Sequence, residues 1–151
     1  MEMPFFEFEQ DFIGSLRCIP MVVRHHLDTC GVKLKLDHWN RFSQAERQLL
    51  VTCPCETAAE VQQYREQLQA LNVEKTGAEA KTLDTSDNPP WQSLDEVPAA
   101  VIEKFEQQHV SLSLAQWKNL SELQRFALVK LSRPSHENRN FMPAVKEFGL
   151  I

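Results

Sequence analysis

VKLKLDHWNRFSQAER, from Val32 to Arg47, returns as VSLSLAQWKNLSELQR from Val110 to Arg125, and the fold turns on how that return is read. Sliding the chain against itself by 78 positions pairs Pro20 with Pro98, Val23 with Val101, Val32 with Val110, Leu34 with Leu112 and Leu36 with Leu114. It also pairs Trp39 with Trp117, Ser43 with Ser121, Arg47 with Arg125, Leu50 with Leu128 and Val51 with Val129, ten identities in 32 positions without a gap. A solenoid needs about three repeats to close a core. Two copies therefore predict pseudo-symmetric helical halves, residues 19–71 and 97–148, packed face to face in a single domain over 1–151. A polar stretch, 72–96, joins them.

Inside the repeat, Ala45 and Leu49 stand where the second copy has Leu123 and Ala127, positions one turn apart on a shared helical face. The exchange conserves volume, so both positions are expected in a packed interior. Repeated positions read as fold, and positions where the copies differ are where a site is sought.

Hydrophobic spacing makes the chain all-α or nearly so. Ile19, Val22, Val23, His26, Leu27 and Cys30 recur on one face of a helix, with Pro20 suited to its start and Gly31 to its end. Ser43 with Glu46, Ser121 with Gln124 and Thr57 with Glu60 are capping boxes opening three further helices. Ala58, Val61, Tyr64, Leu68 and Leu71 form the apolar face of the helix after Thr57, with the polar stretch beginning at Asn72. A last helix begins near Asn140, because Pro143 is tolerated only in a first turn. Val32, Leu34 and Leu36 alternate with lysines, which fits a short strand, an extended connector, or a β-bridge pairing the two copies. Phe6 and Phe8 alternate with glutamates in an extended arm, to which Phe12 and Ile13 add further apolar surface to bury, and Trp91 anchors the polar stretch to the body.

Sixteen Lys and Arg against 21 Asp and Glu leave a net charge of −5. That balance, with no basic stripe along the chain, argues against a nucleic-acid partner. No apolar run reaches the roughly 18 residues of a membrane helix, and the acidic, aromatic N-terminus lacks the basic start of a secretory signal. The expectation is a cytoplasmic protein with reduced cysteines.

Enzyme signatures are missing: there is no glycine-rich phosphate loop, nucleophile elbow or His-Glu-x-x-His. No catalytic residue, cofactor or metal is assigned. Cys18, Cys30, Cys53 and Cys55 are the alternative, four thiolates enough for zinc or an iron–sulfur cluster in a redox carrier. Trp39 and Arg47, repeated as Trp117 and Arg125, favour structure, the arginines satisfying carbonyls or acids between the halves. Asymmetry between copies points instead to Arg17-Cys18-Ile19-Pro20-Met21, with Arg24 and Asp28 further along the helix; these arginines suit an anionic or acidic protein surface.

FEFEQDFIGSLRCIPMVVRHHLDTCGVKLKL, from Phe6 to Leu36, with Trp39, Ser43 to Arg47 and Pro54-Cys55, resembles the nitrate reductase-associated proteins of cyanobacteria. The likeness is strongest from Phe6 to about Leu71 and looser beyond. It implies a small cytoplasmic accessory protein, chaperone-like rather than catalytic, that binds the nitrate reductase catalytic subunit. Its role would be maturation or molybdenum-cofactor insertion. The positions carried over are Arg17, Cys18, Pro20, Arg24, Asp28 and Cys30, with Trp39, Arg47 and Cys55.

Overall fold

Helix α1, Met21–Cys30, starts after Pro20 and ends at Gly31, whose left-handed backbone (φ 75) turns its amide back to the Leu27 carbonyl. Only glycine adopts that conformation freely. The computed structural model describes residues 5–10, 16–85, 88–133 and 139–151. Among these the fold is all-α apart from one two-residue ladder, and no helix is long and apolar enough to cross a membrane. Contacts divide the described chain into two units: Phe5 with 9–10 and 16–85, and Phe6–Phe8 with 88–133 and 139–151.

In the first unit α1 is followed by β1 (Val32–Lys33), α2 (Leu36–Trp39), α3 (Gln44–Thr52), α4 (Ala58–Thr76) and β2 (Lys81–Thr82). The Ser43–Glu46 and Thr57–Glu60 capping boxes both form, each side chain bonding the other's backbone amide. Val23, Leu27, Trp39, Phe42, Leu50, Tyr64 and Leu68 fill the core between α1 and α4.

Three local expectations change here. The bridge exists, but β1 pairs antiparallel with β2, Val32 against Thr82 and Lys33 against Lys81, and not with the second copy. Val110 and Ser111, 78 positions after Val32 and Lys33, form no strand. Helix α4 runs on to Thr76, because Asn72 is itself buried and its side-chain amide donates to the Ala78 carbonyl at 2.9 Å. Ala45 and Leu49 are exposed, Leu49 by 41%, since α3 buries only Leu50 and Val51.

The second unit comprises a 3-10 turn at Pro90–Gln92, then α5 (Ala99–Gln107), α6 (Leu114–Asn119), α7 (Glu122–Ser132) and α8 (Phe141–Glu147). Helix α7 packs against the 3-10 turn, α5 and α8, and buries Arg125 to Val129 and Leu131. Trp91 sits edge-on to Phe126 at 4.9 Å, anchoring the segment before α5. The Ser121–Gln124 box forms, and so does one at Ser113–Gln116 that opens α6 and goes unnoticed in the sequence. Pro143 lies in the first turn of α8, which buries Phe141 and Val145 and ends at left-handed Gly149.

Glu7–Glu9 form a 3-10 turn rather than an extended arm. The turn lets Phe6 and Phe8 stack at 5.2 Å and both rest on Phe148. Phe12 and Ile13 lie outside the described residues.

Candidate functional site

The flank from Arg17 to Cys30 is positioned by polar contacts that sequence spacing does not reveal. Leu16 is buried with a positive φ of 53. Its carbonyl accepts from the Trp39 indole at 2.7 Å and from Arg47 Nη1 at 3.2 Å. Two donors fastened on one carbonyl hold a conformation that a leucine seldom adopts. The chain then leaves the core with Arg17 exposed and Cys18 half-buried.

Pro20 offers no side-chain acceptor to start α1, and Glu9 supplies one. Its buried carboxylate accepts from the Met21 amide at 2.9 Å, an acidic group at the positive end of the helix. One turn on, Arg24 donates from Nε to the Ile19 carbonyl at 3.1 Å. Of the six candidate contact residues, Pro20 and Cys30 are buried, Arg17 is exposed, and Cys18, Arg24 and Asp28 are half-buried.

Beneath this surface lies an apolar pack of titratable groups. His26 meets the Tyr64 ring edge-on at 4.9 Å, and the Tyr64 hydroxyl donates to the Leu50 carbonyl at 2.7 Å. Burial, with His25 beside it, lowers His26 to about 4, so its imidazole is neutral near pH 7. Burial pushes the Cys30 thiol up to about 11 and, with Cys30 close by, the Cys55 thiol up to about 12. Tyr64 is raised well above the usual phenol value by the same burial. The Cys55 thiol contacts the His26 carbonyl at 3.9 Å and the Cys30 thiol that of Leu27 at 3.7 Å. Cys53, also raised by burial, contacts Gln67 Oε1 at 3.5 Å.

Thiols held protonated are poor nucleophiles. All four cysteines are free thiols, and among the described residues no three His, Cys, Asp or Glu side chains are grouped to hold a metal. The four-thiolate centre on Cys18, Cys30, Cys53 and Cys55 is therefore not assembled in these residues.

Trp39 and Arg47, with Trp117 and Arg125, serve the backbone of their own units. Arg47 donates from Nε and Nη2 to the Phe42 carbonyl, at 3.0 and 2.9 Å, as well as to Leu16. Arg125 donates to the carbonyls of Trp91, at 2.7 Å, and Leu120, while Trp117 donates to that of Ser93 at 2.7 Å. Carbonyls rather than acids are the partners named here, and each lies within the arginine's own unit.

The geometry defines a small helical protein in which Trp39, Arg47, Trp117 and Arg125 are committed to the backbone of their own units. The chain belongs to the conserved nitrate reductase-associated proteins, whose family model matches residues 5–148. No curated protein and no solved structure matches it.

Proposed function

We propose that the protein is a non-catalytic accessory factor of the cytoplasm. It binds the catalytic subunit of nitrate reductase and supports its maturation or molybdenum-cofactor insertion. The observation that carries this reading is the family match over nearly the whole chain. Contact falls to Arg17, Cys18, Arg24 and Asp28, while buried Pro20 and Cys30 shape that face from beneath. An exposed guanidinium offers a fork of donors to a carboxylate on the partner. The same reading takes 19–71 and 97–148 as two copies of one module within one domain.

Cells lacking the protein should lose nitrate reductase activity while keeping the enzyme polypeptide, and the wild-type chain should restore it. Arg17→Glu should fail to restore activity although its melting temperature matches wild type. Full activity in cells lacking the protein would overturn the reading.

A further inference from the structure

We propose that the outer face of the β1–β2 ladder is a docking surface for an acidic polypeptide segment, carried by Lys33, Lys35 and Lys81. This surface lies apart from the Arg17 flank in sequence, and rests on the accessory-factor reading only in taking its partner to be a protein. Val32 and Leu34 are buried while Lys33 and Lys35 are exposed, so the alternation turns both lysines outward. The ladder register then sets exposed Lys81 directly opposite Lys33. Three ammonium groups from two distant stretches of sequence gather on one face of a chain whose net charge is −5. Among the described residues none of the three has a carboxylate partner, although exposed Asp37, Glu79 and Asp84 lie on the same segments.

Like charges directly opposite each other weaken a ladder, yet this one is clamped in place. Gln69 on α4 donates to the Ala80 carbonyl at 3.0 Å and accepts from the Ala80 amide at 2.7 Å, standing in for a neighbouring strand. The Leu83 amide donates to the Gly31 carbonyl at 2.8 Å, fixing the other side of β2. Two hydrogen-bonded brackets thus hold the backbone of Lys81 opposite that of Lys33. Preorganised cations would steer an acidic segment onto the ladder and be relieved by it.

The test titrates a fluorescent poly-L-glutamate peptide with the full chain and follows thermal melting in parallel. Wild type should bind, with affinity falling as NaCl is raised. Lys81→Glu should weaken binding about tenfold, yet melt higher than wild type because the opposed pair becomes attractive. Lys118→Glu, at an exposed lysine of the second unit, should bind as wild type does. Equal binding by wild type and Lys81→Glu would overturn the proposal, as would an equal loss in Lys118→Glu. Oligo-dT bound as tightly as the peptide, and equally sensitive to Lys81→Glu, would overturn the polypeptide as occupant. Nitrate reductase plays no part in these titrations, so failure here and failure of the accessory-factor reading are told apart.

Discussion

The turns after α1 and after α5 do the same job with different residues. Gly31 and His109 lie 78 positions apart, and both are left-handed, with φ of 75 and 58. At His109 the side chain is exposed, and an imidazole stands there without obstruction. A Cβ on Gly31 would meet the Leu83 carbonyl and the Thr85 methyl at 3.0 Å and the Arg65 guanidinium at 3.1 Å. The first unit has folded its β2 segment over the turn, so glycine is required for room as well as for φ. The lesson is that a left-handed turn can recur after two helices, while what its side chain meets depends on what each unit packs on top.

Helices α3 and α7 teach the same lesson. Both open with a capping box and both place an arginine on nearby carbonyls. Arg125 is buried among the 3-10 turn and α7, whereas Arg47 is half-buried at an outer helix. Arg125→Ala should therefore be the most damaging change, at about 1–3 kcal/mol for each carbonyl left without a donor. Arg47→Ala should lose clearly less, because its bonds are only part-buried and the Leu16 carbonyl keeps the Trp39 indole as a donor. Equal losses in urea unfolding would break the distinction between inner and outer helix.

A volume exchange at matching positions sharpens it further. Ala127→Leu should overpack the second core and cost about 1–3 kcal/mol. Leu49→Ala, at a residue 41% exposed, should stay within about 0.5 kcal/mol of wild type. Gly31→Ala comes next, with about 1–2 kcal/mol expected from the left-handed backbone alone and more from the crowded carbonyl. His109→Gly should be neutral or slightly stabilising, and a loss as large as that of Gly31→Ala would contradict the account.

A pH dependence falls on the first unit. His26 has a folded value of about 4 against an ordinary 6.5, so the unfolded chain binds the extra proton between those values. Its contribution is fully present above pH 6.5 and is lost as pH falls toward 4. Melting temperature should drop over that window, and His26→Gln should flatten the drop. An unchanged slope would remove His26 as its source.

Much of the helical plan is legible in sequence because its signals are local. Pro20, Gly31 and the capping boxes mark ends through bonds made within a few residues, and Trp91 reads as an anchor from its size and apolar surface. What escapes is long-range and polar. Glu9 caps α1 from the N-terminal arm, Gln69 clamps Ala80, and Lys81–Thr82 form a strand inside a stretch whose composition reads as linker. No period in the sequence reports such bonds. Nor does volume matching between copies reveal Leu49's exposure, since that depends on the elements packed beside α3. At the candidate site, the Arg17 flank is a proposal drawn from sequence differences between 20–51 and 98–129. The raised thiols of Cys30 and Cys55 follow from burial, which helical spacing shows for Cys30 and only the folded chain shows for Cys55.

The most direct measurement is binding of the purified wild-type chain to purified nitrate reductase catalytic subunit by titration calorimetry, with Arg17→Glu as its partner experiment. The account predicts saturable binding by wild type and a marked loss in Arg17→Glu at unchanged melting temperature. No heat of binding from wild type to either cofactor-free or cofactor-loaded enzyme would contradict it.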